Sequence, residues 1–582
     1  MNLSVSPRPD GRKYLSIVKA YRRKETGQPT SKTVLSLGYL DVLEKDYEDP
    51  IAHFREVAKR MTEEEGAGRT ATLGIDMDEE LPEGALGTKN LGYAAILKVY
   101  HELGIHGFLN ARSRKERFKF NANSVMTLLA VSRILAPGSK KKAHDGRGRY
   151  FERFAFTDDD IYHALTWFDR ISTDLQRHIH DRVKARYGSD TSIVYYDVTN
   201  YYFEISKPDE LRRYTKNAKQ KRKKPVVQMG LAMDRDGVPL HYGLFPGNRL
   251  DKETFRSVIG EVRKNYGTGR IVAVADMGIV TGDNIHYLVG DKPERPANGY
   301  VFSFSVRGGT DDFKKYVLDP EGYAGADGMP ADGGADFMVK SRHTRREINV
   351  TMGSGRTRKT KHVYEKQVVF WSRKYCLKAR AERAEMVAKA EALIADPGKY
   401  TKATSYGAAD YVKGISFDRS TGEVLDEGRK LELRLDKIAE EERYDGYYSI
   451  VTSEHGMGDW DIIDTYRGLW EIEETFKVTK GDLMARPVYL SDHGHINAHF
   501  LSCFIALTIL RIIQKKTGKL HSAAAIIECL NKIECINEQG NIYLFGYRSA
   551  LSDEIGDALG INFRRRRMRL SEIKGLLGEV KK

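Results

Sequence analysis

The sequence predicts an α/β protein: a mixed β-sheet core flanked by helices, interrupted by an inserted β-rich domain and preceded by a helical N-terminal region. Three observations predict it. From Ser192 onward, β-rich and helical runs follow in the order three strands, helix, strand, helix, strand. Between Arg307 and Glu442 a Gly- and charge-rich stretch with strands and a helix of its own breaks that order. From Gly92 to Ser172 apolar residues recur at helical spacing, in short helices separated by Pro137-Gly138 and by basic stretches.

At 582 residues the chain is too long for one compact core. The pattern divides it into an N-terminal hairpin and helix (1–90), a helical region with a DNA-binding reading (91–185), the core's first part (186–307), the insertion (308–443), the core's second part (444–515) and a basic C-terminal region (516–582).

Each element has a local cause. KYLSIVKAYRRKETGQPTSKTVLSLGYL alternates apolar and polar residues about a Gly-Gln-Pro break, which predicts a hairpin. A charged helix follows over Ile51 to Glu65, then a Gly-rich linker at Gly66 to Gly68. The helices of 92–172 suit a helix-turn-helix reader and an ordinary bundle alike. SIVYYDVT is a β-rich run ending in Asp197, and KPVVQMGLAMDRDGVPLHYGLF reads as two strands joined at Asp236-Gly237. DKETFRSVIGEVRKNYG reads as a helix capped by Asp251 with Gly267 past its end. RIVAVAD is a buried-type strand ending at Asp276; a helix over Asp283 to Val289 and the strand GYVFSFSVR follow. This is the element order of a ribonuclease-H-like core, whose completing helix is delayed to Asp459–Lys480, after DGYYSIVTSE. Within the insertion, HVYEKQVVFWS is a strand and Ala379 to Ile394 a helix.

Composition narrows the function. Lys+Arg 95 against Asp+Glu 81 gives +14, a mild signal for a polyanionic partner when spread over this length. Basic clusters at Arg112–Lys119, Lys140–Arg149, Lys216–Lys224, Arg342–Lys361 and Arg564–Arg569 are each solvated surface on the bland reading; several together suit a long DNA path. The longest apolar run, Phe500 to Ile513, is short for a bilayer and reads as a buried helix, and MNLSVSPRPDGRKY lacks a secretory apolar core, so a cytoplasmic, nucleoid-associated protein without a membrane partner is expected. The four cysteines form no CxxC pair, which fits a reducing compartment.

Phosphodiester cleavage and strand transfer use paired divalent cations, one at the attacking and one at the leaving oxygen, and carboxylates hold such hard ions. Asp197 and Asp276 are expected side by side at strand ends, with Glu473 on the late helix beside them, as catalytic residues and metal ligands for Mg²⁺, with Mn²⁺ able to substitute. Singly, an Asp at a strand end is most often a turn residue and a helical Glu a solvated one; the combination is what points to chemistry. In YRGLWEIEETFKVTK, Tyr466, Trp470, Glu473, Lys477 and Lys480 recur at three- and four-residue steps and so share one stripe. An acid-base surface pair is the bland alternative.

On these pieces the sequence resembles a DDE transposase of the insertion-sequence 4 superfamily, IS1634-like group. The pieces are YYDVTNYYFE, GLFPGNRLDKETF, VADMGIV, YRGLWEIEETFKVTKGDLMARPVY and AHFLSCFIALTILR. Tyr466, Glu473 and Lys480 match the superfamily's Tyr, Glu and Lys at seven-residue spacing; Leu469 stands where its Arg stands, with Arg467 two residues earlier as in the IS1634-like pattern, and Met277 replaces its Arg after the second Asp. The resemblance implies a transposase that binds the terminal inverted repeats of its element and target DNA, acts as a homodimer on DNA, and holds phosphate through Tyr466, Arg467, Lys477 and Lys480. A ribonuclease-H-like metal nuclease and a catalytically silent DNA-binding derivative are the alternatives.

Other candidates weigh less. Thr199 and Asn200 suit a metal water, a phosphate or a strand turn. His493, His495 and His499 suggest zinc, but no fourth ligand is evident. Gly353 and Gly355 lack the Lys-Ser/Thr ending of a phosphate loop. Arg342 to Lys361 reads as a flexible charged loop.

Overall fold

The computed structural model describes residues 1–22, 29–66, 80, 87–205, 207–215, 224–291, 296–325, 328–329, 335–352, 357–402, 404–418, 421–425, 430–539 and 541–582. The basic run 216–223, the glycines at 353 and 355, and most of the linker after Gly66 lie outside these residues. The chain divides into two compact units, Met1–Ala85 and Leu86–Lys582.

In the first unit, strands Asn2–Pro7, Lys13–Arg22 and Pro29–Tyr39 form an antiparallel sheet in sequence order, on which the helix Pro50–Gly66 packs. Leu15 and Ile17 of the central strand are fully buried, and Phe54 and Ala58 of the helix are buried. The expected hairpin is there, with a third strand added: Ser- and Pro-rich NLSVSP carries little apolar signal, but its register against Lys13–Val18 is continuous.

The second unit is built on one eight-stranded mixed sheet. Its strands, in chain order, are β1 (Ile193–Tyr202), β2 (Val226–Met233), β3 (Pro239–Pro246), β4 (Val272–Ala275), β5 (Gly299–Phe304), β6 (Phe337–Met352), β7 (Thr357–Ser372) and β8 (Tyr447–Thr452), and the spatial order is β6-β7-β8-β5-β4-β1-β2-β3. β2 runs antiparallel to both β1 and β3, while β4 runs parallel to both β1 and β5. Every residue of β2 and β4 is buried, as expected of strands covered on both faces.

One face carries α1 (Asp251–Asn265) and α2 (Gly282–Val289), whose Phe255, Val258, Ile259 and Ile285 pack with Tyr196 and Phe302 of the strands. The other face carries α4 (Asp459–Arg467), α5 (Trp470–Lys480) and the long α6 (His493–Lys516), in a continuous core with the helices of 93–187. Helices Tyr93–Glu102, Ala122–Leu135 and Asp158–Arg170 pack on α6. α6 is the one helix among the described residues long and apolar enough to cross a bilayer, and 94% of its apolar window is buried inside the protein.

Several expectations are corrected. Asp251 does not cap α1: Leu250 holds the cap position, and the Asp251 carboxylate accepts from Gln228 Nε2 at 3.1 Å. The run Arg342–Lys361 is not a loop, because its described residues are the paired ends of β6 and β7, matched from Phe337–Ser372 to Met352–Thr357. The strands of segment 308–443 extend the central sheet through β8, which pairs with β7 and β5; α3 (Arg373–Ala395) follows β7. The basic run Arg564–Arg569 is largely neutralised within the fold, Arg564 by Asp553 and Asp557, Arg565 by Glu572 and Arg567 by Glu538.

Candidate active site

Parallel pairing of β1 with β4 runs Ile193↔Val272, Val194↔Ala273 and Tyr195↔Val274. Continued by two residues, the same register sets Asp197 opposite Asp276. Parallel strands lie about 4.8 Å apart and residues two apart share a face, so both carboxylates emerge on the face that carries α5. Glu473 projects from α5, and the three acids line a single cleft of about 980 Å³. Arg307, Tyr375, Lys378, Tyr448, Tyr466 and Arg467 line it too.

The helix delivering Glu473 is not the single Asp459–Lys480 rod that the pattern predicts. It breaks at Gly468-Leu469 into α4 and α5, and hydrogen bonds to the third residue back (Leu469 to Tyr466, Glu471 to Gly468, Ile472 to Leu469) tighten the joint. Gly468 lies against β1: a Cβ there would sit 2.0 Å from the Tyr195 hydroxyl, two residues before Asp197. Glycine therefore lets the joint approach the strand that carries the first carboxylate. Ile462, Ile463, Leu469 and Ile472 bury the inner side, leaving Trp470, Glu473 and Lys477 exposed along the outer one.

Electrostatics single out Asp197. Half-buried, it accepts from the Val198 amide at 2.7 Å. Burial first, then the like charges of Asp276, Asp251 and Glu473, push its carboxyl up to about 7. Asp276 is exposed at its strand end and oriented by two hydroxyls, Ser303 Oγ at 2.8 Å and Tyr466 Oη at 3.1 Å. Tyr448 and Tyr466 share a hydroxyl contact of 3.2 Å. Burial raises the Tyr466 hydroxyl far above its ordinary value, so it stays protonated and donates. The hydroxyl expected on phosphate is thus engaged with a carboxylate.

The remaining residues of the stripe form a second, shallower hollow of about 460 Å³ beside the first, lined by Glu473, Phe476, Lys477, Lys480, Gly481 and Arg486. Lys480 Nζ donates to Thr199 Oγ1, which gives Thr199 a positioning role on β1. Burial and then Arg486 lower Lys480 to about 8, against the pull of Asp197, so it is still a cation at neutral pH. Lys477 is three-quarters exposed and reaches Glu474 at 3.8 Å. Arg467 pairs with Asp464 at 3.1 Å and lies over the Phe337 ring. Met277 is half exposed on the cleft wall.

Ser303, Tyr448 and Arg486 carry no signal of their own in the sequence, and Asp251 is read there only as a helix cap. Ser303 and Tyr448 are ordinary alternating strand residues, and only the pairing of β5 with β4 and β8 brings them to Asp276. The three histidines separate: His493 faces Asp209, His495 faces Thr166, and His499 is buried against Lys140 and the Ala485 carbonyl. Asn200 lies beside Gln228 in the β1–β2 register, away from the cleft lining.

For divalent ions, the oxygen donors present are of the right kind, hard carboxylates converging from separate elements on one cleft. Among the described residues no three His, Cys, Asp or Glu side chains gather closely enough to enclose one ion.

Residues 4–72 match the family described as IS1634 family transposase, N-terminal domain. That match lies within the first unit and supports a transposase of the IS1634 family. No curated protein matches the chain.

Proposed function

We propose that the chain is a DDE transposase of the insertion-sequence 4 superfamily, with a ribonuclease-H-like core that cleaves DNA at the terminal inverted repeats of its insertion sequence and transfers the freed 3′-hydroxyl to target DNA. The observation that carries this reading is the β1–β4 register, which sets Asp197 opposite Asp276 on the wall of the cleft that Glu473 also lines. The sheet supports it: three antiparallel strands, then β4 and β5 added on the far side of β1, is the order expected of such a core.

Asp197, Asp276 and Glu473 would hold Mg²⁺, or Mn²⁺ in its place, which when bound supplies activation of the attacking oxygen and charge neutralisation at the leaving one. The chain's own groups do the rest. Ser303 and Tyr466 fix the Asp276 carboxylate, and Tyr448 in turn buttresses Tyr466. Thr199 holds Lys480 beside Asp197, where its ammonium offsets the acids and meets a backbone phosphate entering the second hollow. Lys477, Arg467 and Arg486 extend that cationic track. A homodimer on paired ends is part of the same proposal.

The test is nicking of a supercoiled plasmid carrying the DNA that flanks the coding region, with Mg²⁺ or Mn²⁺. Cleavage at the ends by the wild-type chain, lost in Asp197→Ala, Asp276→Ala and Glu473→Gln, is the expected result. Any one variant that still cuts removes the catalytic assignment. Equal cutting of plasmids lacking the flanks points to a general nuclease instead.

A further inference from the structure

The helices of 93–187 were the expected DNA readers, yet three of them are spent packing on α6. The first unit has a sheet face opposite its own helix. Along its central strand, Leu15 and Ile17 face the helix, so Tyr14, Ser16, Val18 and Ala20 face the other way. Register partners across the sheet add Asn2, Ser4 and Ser6 from the first strand and Ser31, Thr33, Ser36 and Tyr39 from the third. Six of these positions are Ser or Thr and none is acidic. Ser31, Thr33 and Ser36 are exposed, and the central Ser16 is half-exposed.

At one end Tyr14 and Tyr39 meet edge to face at 5.1 Å, with the Arg8 and Arg12 guanidiniums over their rings at 4.8 and 4.0 Å. Net charge also differs between sheet and helix, with Arg8 and Arg12 beside the outward-facing Tyr14 and Tyr39, although Lys13, Lys19 and Lys32 alternate onto the side of Leu15 and Ile17. Residues 1–22 and 29–40 contain six basic residues and one acidic, whereas residues 41–66 contain four basic and nine acidic. A polyanion is drawn to the sheet and repelled from the helix.

We propose that this sheet face reads duplex DNA in the major groove. Two inter-strand spacings make the sheet about 10 Å across, against a groove about 12 Å wide. Short Ser and Thr side chains let the backbone approach base edges closely and can donate to or accept from any of them, while Arg8 and Arg12 at the rim reach phosphate. The proposal deepens the transposase reading and rests on it for the choice of DNA.

The experiment uses the full chain in EDTA. Duplexes of about 30 base pairs with a randomised centre are selected on the wild-type protein, and the enriched duplex is then titrated by fluorescence anisotropy. Thr33→Glu and Ser36→Glu, both at exposed positions, should each weaken binding about tenfold. Ala52→Glu, the same charge change on the exposed side of the helix, should stay within about twofold. Arg8→Ala should weaken all duplexes alike and flatten the salt dependence. Sheet variants that bind like wild type, an Ala52→Glu loss as large as theirs, or preference for the double-stranded RNA of the same sequence would overturn the proposal. Plasmid nicking in Mg²⁺, read alongside, separates the two readings. Nicking with unaffected binding by the sheet variants removes this surface alone, and sheet-dependent binding without nicking leaves the surface standing while the cleft reading falls.

Discussion

Replacing Gly468 by alanine opposes two physical effects of known sign. The residue has helical torsions, φ −57 and ψ −15, so glycine is not needed for its backbone conformation. Propensity alone then predicts that Gly468→Ala stabilises the α4–α5 joint by about 1 kcal/mol. The packing predicts the reverse. The new Cβ would lie 2.0, 2.5 and 3.0 Å from the hydroxyl oxygen, Cζ and Cε1 of Tyr195, all well inside contact distance. Tyr195 is 4% exposed and belongs to the same core as Ile462, Leu469 and Ile472, so its ring has nowhere to retreat. Overpacking of this kind costs about 1–3 kcal/mol, leaving a net loss of about 0–2 kcal/mol once propensity is credited. More telling is the displacement. Relief of the clash requires the joint to lift by about 1 Å, carrying Glu473 away from Asp197, and a shift of that size costs about 100-fold in rate. Urea unfolding reads the first number and metal-dependent nicking the second. Tyr195→Leu added to Gly468→Ala should restore part of the nicking rate by making room. A variant more stable than wild type that nicks normally would refute the close-approach argument.

Three other outcomes follow from the site. In EDTA, Asp197→Asn should match wild type near pH 4 and exceed it by about 2–4 kcal/mol above pH 7. The carboxyl is held up to about 7 when folded, so wild type gains from keeping the proton at low pH and loses that gain as pH rises between its ordinary 3.8 and 7; parallel urea midpoints across that range would sink the claim. Lys480→Ala should reduce the slope of log Kd against log salt for duplex binding by about one, because one phosphate contact is lost, and an unchanged slope would take Lys480 off the DNA path. Behind the cleft wall, Arg383 and Asp445 form a buried two-pronged ion pair at 2.6 and 2.5 Å, with side chains 8% and 2% exposed. Arg383→Ala removes both hydrogen bonds and leaves Asp445 only Arg307 and Arg380, each at 3.8 Å, and should cost about 1.5–3 kcal/mol in urea unfolding; a loss below about 1 kcal/mol would mean that those two cations replace it.

What could be read from sequence was what repeats locally. β2 and β4 are continuous apolar runs and α1 has its apolar stripe, so their places were evident, and the order of strands followed from them. Asp276 was legible because it ends such a run, and Asp197 because the apolar run breaks there, although β1 does not end at Asp197 as the pattern suggests but continues to Tyr202, where its pairing with β2 is maintained. Partners supplied by distant strands were not. Nothing in GYVFSF marks Ser303 as the donor to Asp276, and nothing in the insertion's charge pattern distinguishes a loop from the two 16-residue strands that close the sheet's far edge. Arg346 explains why the latter misleads: it looks like surface charge, but it pairs with the fully buried Glu365, whose other oxygen accepts from Tyr300. Charge that satisfies charge inside a sheet has the composition of a solvated loop. The break at Gly468 was hidden for the converse reason, since its torsions are helical and only Tyr195, more than 270 residues earlier, demands the glycine.

The uneven exposure of the three acids bears on how the proposed chemistry is confined. Asp197 sits half-buried on the sheet, while Asp276 and Glu473 are open to solvent at the mouth. A protein that enclosed its ions fully would leave no room for the phosphate that must share them, and magnesium keeps coordination positions for waters and substrate oxygens. Dispersed carboxylates around one inner acid are thus what a phosphoryl-transfer site presents before DNA completes it. The cost falls on Asp197, which bears first its own burial and then the repulsion of its neighbours in the free protein. The buttressing by Ser303, Tyr466 and Tyr448 then has a clear purpose: it holds an exposed carboxylate in place, at the one end of β4 where no covering helix could do so without blocking the substrate.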